Sequence, residues 1–353
     1  MDVIEYKCPN CGGAVAFDSS SQQMLCPYCD TKFDVAAMQS LAEPVAPDNM
    51  DWEMPKSQWE AGEQEGMGVY ICQSCAGEIV ADSTLGATSC PYCGNKLVMT
   101  AQFSGSLKPD LIIPFKLDKE AAKKALKDYY AGKFLLPNSF KDENRINEIK
   151  GVYVPFWLFN SEASANVRYK ATKLRTWEDS KFRYTETSHF NIIRNGNLAF
   201  DDIPVDGSSK MRDDVMESIE PFALEAAKDY SSAYLAGYMA DKYDVDADAS
   251  IVRANERIKK STESKFRETV TGYNTVNVEN SSVNLKGGKA RYALLPVWML
   301  TTIWNDTSYL FAMNGQTGKL IGDLPMDKSK YQKVFMGVFA GVTALLYLLQ
   351  MLL

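Results

Sequence analysis

Histidine is nearly absent from this chain, which has one, His189, among 353 residues. Cysteine is absent after residue 93, and arginine is absent from residues 1–100. A lone histidine without a cysteine beyond residue 93 leaves the long C-terminal part without the usual nucleophile and base pairs. We find no catalytic constellation in the sequence. We therefore predict that the protein is not an enzyme, with no catalytic residue and no organic cofactor site.

A phosphate-binding loop is also missing. Residues 314–319 read NGQTGK, but a P-loop has four residues between its glycines, and Gly315 and Gly318 have two. Leu320 stands where a serine or threonine would bind Mg²⁺. The Asn-Gly pair between two apolar runs predicts a β-hairpin turn instead.

The net charge of −7 is unevenly distributed along the chain. Residues 1–100 have four lysines against fourteen acidic residues, a balance of −10, whereas the remainder has a balance of +3. A surface that binds phosphate groups needs clustered lysine and arginine. Nucleic acid is therefore not the expected partner of the N-terminal part.

All eight cysteines lie in the N-terminal part, in two sets with identical spacing. Each set has two C-x2-C pairs separated by fourteen residues, and both distal pairs read Cys-Pro-Tyr-Cys. No apolar leader precedes them, so we expect a reducing compartment, where such pairs are metal ligands. An iron centre or a redox dithiol is the alternative. Four thiolates leave no position for water, which predicts two structural zinc sites, formed by Cys8, Cys11, Cys26 and Cys29 and by Cys72, Cys75, Cys90 and Cys93.

The two cysteine sets predict zinc ribbons at 1–36 and 68–100, joined by an acidic linker at 37–67. Trp52 and Trp59 stand out in this linker. They either pack on a ribbon or on the main domain, or they belong to a partner-binding motif. Two equivalent ribbons on a flexible linker would favour bivalent capture of a partner.

Residues 101–330 predict an α+β domain. A helix with apolar residues at helical spacing follows an Asp118 cap, and alternating runs predict strands before and after a second helical block. The segments VPFWLF (154–159) and LPVWML (295–300) share a Pro-x-Trp pattern. This pattern indicates two related halves, and we expect each proline at an edge strand or a bulge. The fold class is therefore α+β, with two N-terminal four-cysteine zinc ribbons and one C-terminal transmembrane helix.

Residues 334–353 contain no charge. Twenty helical residues span ~30 Å, the thickness of the hydrocarbon core of a bilayer. Lys328, Lys330 and Lys333 precede the segment, which predicts a single-pass anchor in the cell membrane with the N-terminal bulk in the cytoplasm. Gly337 and Gly341 have the spacing of a helix-pairing motif.

The paired CPxC ribbons, the Pro-x-Trp strands, the stretch YLAGYMADKYDV (234–245) and the terminal span together resemble a bacterial family of membrane-anchored double zinc-ribbon proteins. Members are often called replisome organisers or primosomal-helicase-like. Some are encoded beside phage-shock protein A homologues and an SPFH-domain partner. The resemblance implies a role in anchoring that stress assembly at the membrane. The missing P-loop gives the helicase name no support.

Three functions compete at this point. The favoured one is a membrane-tethered adaptor that recruits cytoplasmic proteins, such as an SPFH-domain protein or a phage-shock protein A homologue. The alternative is a nucleic-acid-binding zinc-ribbon protein with a role in replication or transcription. The third is an enzyme whose site lies in the α+β domain. The acidic N-terminal part argues against the second, and the lack of a catalytic constellation argues against the third.

Overall fold

The computed structural model describes residues 6–42, 47–83, 88–102 and 107–352. Small parts of the predicted ribbons, linker and α+β domain, and the last residue of the predicted anchor, lie outside the described residues. The chain divides into two compact units, each built from discontinuous segments. Unit 1 comprises Met1–Glu53, Phe159–Ile203 and Val252–Lys289, and unit 2 comprises Met54–Leu158, Pro204–Ile251 and Ala290–Leu353.

The first elements of unit 1 form a small antiparallel sheet. They are β1 (Ala16–Asp18), β2 (Gln23–Leu25) and β3 (Lys32–Phe33), followed by α1 (Val35–Ala42) and β4 (Trp52–Glu53). Unit 2 then begins with the strands β5 (Met67–Cys72), β6 (Glu78–Asp82), β7 (Leu97–Gln102) and β8 (Leu111–Ile112), and with the helices α2 (Lys119–Tyr130) and α3 (Glu143–Asn147).

The long strands contribute residues to both units. They are β9 (Lys150–Glu178), β10 (Arg183–Asp206) and β13 (Thr275–Trp304). Between them lie α4 (Asp213–Ser218), β11 (Lys228–Asp229), β12 (Met239–Asp241) and α5 (Ala247–Glu268). The chain ends with β14 (Thr307–Asn314), β15 (Leu320–Gly322) and α6 (Lys328–Leu352). The predicted α+β class is confirmed.

The core of unit 1 forms where α5 packs on the distal parts of β9, β10 and β13. Ala254 and Ile258, on one face of α5, are fully buried, as the helical spacing predicts. Trp52 of β4 joins this core, because its ring lies 4.9 Å from that of Phe159 and its indole N–H donates to Asn255. Trp52 therefore packs within its own unit.

The strands of the sheet follow the order β11-β8-β13-β9-β12-β6-β5-β7. The two Pro-x-Trp segments lie on β9 and β13, which are neighbours inside this order. The edge-strand position that we expected for each proline is therefore wrong, and a bulge is the alternative that remains. Val154 and Leu295, which precede the two prolines, are both fully buried, so apolar burial in the sheet interior offsets the one hydrogen bond that each proline cannot make.

The Pro-x-Trp segments make equivalent contacts in unit 2. Trp157 donates its indole N–H to the carbonyl of Val245, and Trp298 donates to the carbonyl of Leu117. The carbonyl oxygen of each preceding proline accepts a 2.8 Å hydrogen bond from a glycine N–H, that of Gly207 or Gly315. These matching bonds support the interpretation of the two segments as related halves.

Two helical segments that the sequence predicts differ in how much of each is helical. The segment 210–230 predicts a helix that is broken near Pro221, and the break is present. The first helix, α4, ends at Ser218, but beyond the break only a 3-10 turn at Leu224–Ala226 forms in place of a second helix. A cis peptide at Glu220–Pro221 lies between them, and proline cannot continue the helical hydrogen bonds. By contrast, α2 begins where predicted, with the Asp118 carboxylate accepting the Ala121 N–H at 2.8 Å.

The predicted hairpin at Asn314 is present, since β14 and β15 pair in antiparallel register. Asn314 is fully buried and not an exposed turn residue. Its side-chain amide donates to the carbonyls of Ile219 and Pro221, while its oxygen accepts from the N–H groups of Gln316 and Thr317. The asparagine therefore joins the hairpin to the segment that follows α4.

Candidate metal centres

Each C-x2-C pair folds into the same tight turn. In all four turns, the N–H of the residue after the second cysteine donates to the carbonyl of the first cysteine at 2.8–2.9 Å. That residue has a positive φ of 54–76° in every case. The four residues are Gly12, Asp30, Ala76 and Gly94. The turn aims both sulfurs of a pair toward the same point.

The four sulfur atoms of each set converge. The Sγ–Sγ distances are 3.6 Å for Cys8–Cys29 and 3.4 Å for Cys11–Cys26. In the second set, Cys72–Cys93 measures 3.4 Å and Cys75–Cys90 measures 3.6 Å. Tetrahedral zinc with Zn–S bonds of ~2.3 Å places its sulfurs ~3.8 Å apart, close to these distances.

The chemistry of the donor sets also fits a metal ion. All eight cysteines are free thiols, and no sulfur pair is at bonding distance. Hydrogen bonding to Thr31 lowers the pKa of the Cys29 thiol to about 6, which favours the thiolate form that metals bind. The two four-cysteine clusters are thus suited to metal ions such as zinc, and four protein sulfurs complete the coordination.

The first cluster belongs to a ribbon with its own core. Cys8 and Cys26 are buried together with Val15, Met24 and Met38, and Tyr6, Phe33 and Val35 pack around them. This is a small apolar cluster. A module of this size depends on bound metal for much of its stability.

The second cluster belongs to the main core of unit 2. Cys72 and Cys90 are buried in one cluster with Val154, Phe156 and Val297, residues of the Pro-x-Trp segments. Strand β6 of this ribbon also pairs with β12, with Val80 opposite Ala240. The second ribbon therefore extends the sheet of unit 2.

Side chains of unit 2 hold the second ribbon at its distal turn. The Thr301 hydroxyl lies 2.7 Å from the carbonyl oxygen of Pro91 and 2.9 Å from that of Tyr92. The ammonium group of Lys150 donates to the carbonyl and hydroxyl oxygens of Ser89. The cysteine spacing is the same in both ribbons, so it did not predict that only the second ribbon packs into the core of unit 2. The spacing determines the turns and not the residues against which they pack.

The part of the chain between the ribbons is partly ordered by unit 2 as well. Trp59 packs edge-on against Tyr230, with ring centroids 5.5 Å apart. Lys108 forms an ion pair with Glu63 at 2.6 Å, and both groups belong to the same unit. Bivalent capture requires two free ribbons on a flexible linker. The second ribbon is instead part of the sheet, so this requirement is not met.

His189 lies exposed on β10. The metal-ligand clusters found among the described residues are the two four-cysteine sets, and neither includes this histidine. The positive-φ residues and Thr301 are site residues that the sequence patterns did not reveal. For the positive-φ residues, the available sequence signal was glycine at two of the four turn positions.

The C-terminal helix has the length and composition of a membrane span. Lys328–Met351 has 24 residues with a mean hydropathy of 1.9, and its apolar stretch is not buried. The helix begins six residues before the predicted anchor at 334–353, and Leu353 lies outside the described residues. Asp327 caps it, accepting the N–H of Ser329 at 2.9 Å.

The start of this helix is bound to its own unit. Lys330 donates its ammonium protons to the carbonyl of Leu136 at 2.6 Å and to the side-chain oxygen of Asn138 at 2.7 Å. The N–H of Asp327 donates to the carbonyl of Leu135. The helix therefore leaves unit 2 from a fixed point.

These features define an α+β protein with two N-terminal four-cysteine clusters and an exposed apolar C-terminal helix. The chain is 34% identical over 350 residues to YdjG, an uncharacterized protein of Bacillus subtilis (strain 168), and the alignment covers 99% of this chain and 98% of that one. The chain belongs to the YdjG family. No family profile matches it, and no solved structure matches it.

Proposed function

We propose that this protein is a membrane-tethered zinc-ribbon adaptor that recruits cytoplasmic proteins to the cell membrane. The observation that carries the proposal is the combination, in one chain, of a four-cysteine ribbon with its own core and an exposed apolar helix of 24 residues. Neither feature needs a catalytic site, and together they join a recognition module to a lipid bilayer.

The tail supports the tether. An apolar helix exposed on all sides is costly in water, at ~25 cal/mol per Å² of apolar surface, and this cost disappears in a bilayer. Lys328, Lys330 and Lys333 at its start favour a cytoplasmic location for the preceding residues. Gly337 and Gly341 have no atom within 4 Å of an added Cβ, which leaves a smooth face for a second helix.

The first ribbon is the recruiting module in this proposal. Its aromatic side chains Phe17 and Tyr28 are 53% and 75% exposed, whereas the second ribbon is built into unit 2. A metal-locked turn loses little conformational entropy on binding, so exposed aromatic groups on it suit a protein partner. The family resemblance points to an SPFH-domain protein or a phage-shock protein A homologue in an envelope stress assembly.

Purification of the full-length protein from detergent-solubilised membranes tests the proposal. We expect an SPFH-domain or phage-shock-type protein to copurify with the wild type. Tyr28→Ala should lose this partner while retaining two zinc ions, because the side chain is not a ligand. Val98→Ala, at a 45% exposed position of the second ribbon, is the matched control and should retain the partner.

The outcome also separates the adaptor from the alternative function. Copurified nucleic acid whose removal by nuclease abolishes the association would favour the nucleic-acid-binding role. Retention of the partner by Tyr28→Ala and by a Phe17→Ala variant would show that the first ribbon does not recruit. Extraction of the full chain by carbonate would show that the helix does not anchor it.

A further inference from the structure

The far end of the β9–β10 hairpin carries an unusual surface in unit 1. Every residue from 173 to 187 is exposed on this hairpin. Both faces of the two strands therefore meet solvent there. A two-stranded hairpin without a packed face contributes little stability of its own. Its side chains are therefore available for binding.

Three aromatic residues cluster at this end. Trp177, Phe182 and Tyr184 are 45%, 64% and 41% exposed. The rings of Trp177 and Tyr184 stack with centroids 5.7 Å apart, and Phe182 lies edge-on to Tyr184 at 6.4 Å. Isolated exposed aromatic side chains are common, but a contiguous group marks an interaction surface. We name residues 173–184 the hairpin tip.

The tip is ordered by Asp179. Its Oδ1 accepts the N–H groups of Lys181 and Phe182 at 2.8 and 2.7 Å, and its Oδ2 accepts the Tyr184 hydroxyl at 2.9 Å. These hydrogen bonds lower the pKa of the Asp179 carboxyl. The aromatic cluster is thus held in place before any partner binds.

The charge of the tip is positive. Residues 173–184 contain four basic and two acidic residues. The basic residues are Lys173, Arg175, Lys181 and Arg183, and the acidic residues are Glu178 and Asp179. Glu178 pairs with Arg183, and Asp179 is occupied within the turn. Two positive charges therefore remain in excess, which complements an anionic surface.

We propose that the hairpin tip is a second membrane contact, which inserts its aromatic side chains into the headgroup region of an anionic lipid bilayer. Tryptophan and tyrosine favour this region because each has an apolar ring and a polar edge. The basic residues beside them are attracted to the negative surface potential of anionic lipid. The proposal rests on the proposed function, in which the tail brings the chain to the membrane.

The ring arrangement favours lipid over single-stranded nucleic acid. Base stacking needs a free aromatic face. Tyr184 covers one face of Trp177, and the Arg175 guanidinium lies 5.5 Å from the centroid of the same ring. The exposed ring edges and the Phe182 side chain remain available, and these suit insertion between headgroups.

Tryptophan quenching in reconstituted vesicles tests the proposal. The full-length protein is placed in phosphatidylcholine vesicles with or without phosphatidylglycerol, and brominated lipid serves as the quencher. The difference in fluorescence between wild type and Trp177→Phe isolates the Trp177 signal. We expect this signal to be quenched and blue-shifted in the phosphatidylglycerol vesicles, and most of the quenching to be lost in phosphatidylcholine alone or at high salt.

Two variants sharpen the test. Replacing Lys181 and Arg183 together with glutamine should reduce the quenching of Trp177 in anionic vesicles. Val252→Ser, which changes a 67% exposed apolar residue of α5 in the same unit, should leave the quenching unchanged. Circular dichroism of each variant checks that the fold is retained.

Flotation of the same vesicles after a carbonate wash separates the two proposals. If the protein floats but brominated lipid does not quench Trp177, the tip proposal is overturned and the tail anchor stands. If the protein does not float, the proposed function fails and the tip proposal falls with it. Quenching of Trp177 by an added single-stranded oligonucleotide, without quenching by lipid, would identify the tip as a nucleic-acid surface.

Discussion

The hydroxyl group of Thr301 on β13 lies 2.9 Å from the carbonyl oxygen of Tyr92, in the distal cysteine turn of the second ribbon. This hydroxyl also reaches the Pro91 carbonyl, so one side chain serves two carbonyl groups of the metal-binding turn. The bond ties a metal site to a strand that is buried on both sides. It shows how the second of two ribbons with the same cysteine spacing becomes part of the main core of unit 2.

Replacing Thr301 with valine is expected to lower the free energy of unfolding of unit 2 by about 1–3 kcal/mol, because the carbonyl groups of Pro91 and Tyr92 lose the single hydroxyl proton that lies within reach of both. Thr301→Ser is the control, since it retains the hydroxyl group. Chemical denaturation of the two zinc-loaded variants measures the difference. Equal stability of the valine and serine variants would show that this hydrogen bond does not hold the ribbon.

The two metal sites should respond differently to loss of a cysteine. Cys26→Ser should unfold the first ribbon and leave the unit 2 transition intact, because this cysteine belongs to a separate small core. Cys90→Ser should lower the thermal stability of unit 2, since Cys90 lies in its main core. Elemental analysis should show two zinc ions in the wild type and one in the Cys26→Ser variant. A red iron chromophore would contradict the zinc assignment.

The positive-φ positions predict opposite effects for two substitutions. Gly94→Ala should cost about 1–2 kcal/mol from backbone strain alone, because the nearest atom to an added Cβ is 3.9 Å away. Ala76→Gly removes the same kind of strain and should leave stability equal or slightly higher. Zinc competition with a chromogenic chelator measures both effects. Equal zinc retention by Gly94→Ala and the wild type would contradict the role of strain.

The stability of unit 2 should depend on pH through Asp241. Burial raises the pKa of this carboxyl to about 7, whereas an unfolded aspartate titrates at ~3.9. Between these values the folded state holds a proton that the unfolded state lacks, so stability falls as pH rises toward 7 and levels off above it. From pH 5.5 to 8 the loss from this group is about 2 kcal/mol.

Asp241→Asn removes this contribution. The variant should gain stability relative to wild type as pH rises from 5.5 to 8, measured by denaturation with zinc present. Asp206, whose pKa burial also raises to about 7, keeps part of the pH dependence in both proteins. A stability difference that does not change with pH would show that Asp241 is not protonated in the folded state.

The sequence predicted the elements with strong local signals. The cysteine spacing identified the metal-ligand sets, the Asp118 cap located α2, and the apolar run identified α6. In each case the residues that determine the structure are close in sequence. The Pro-x-Trp pattern likewise identified two segments with matching contacts.

The errors arise where distant contacts decide the structure. The break near Pro221 was predicted, but the loss of most of the helix after it was not, because Asn314, almost a hundred residues away, binds the carbonyls of Ile219 and Pro221. The apolar runs predicted separate strands, whereas β9 and β13 are continuous over 29 and 30 residues. The burial of Cys72 and Cys90 in the main core depends on strand pairing, which the cysteine spacing does not encode.

The aromatic hairpin tip is a further feature that the sequence pattern did not predict. The alternating runs predict strands that end at Lys173 and begin again at Lys181, and residues 174–180 between them do not alternate. Exposure of Trp177, Phe182 and Tyr184 became evident from the burial of the assembled sheet. Patterning therefore located the strands on either side of the tip, and only the packing identified the tip as a surface.

Site-specific photocrosslinking at residue 28 tests the central claim most directly. A photoreactive amino acid replaces Tyr28 in the full-length protein, and position 98 of the second ribbon serves as the comparison. In membranes, we predict a protein adduct at position 28 that mass spectrometry identifies as an SPFH-domain or phage-shock-type partner, and no such adduct at position 98. Adducts of equal yield at both positions, or an adduct with nucleic acid at position 28, would contradict a membrane adaptor that recruits through its first ribbon.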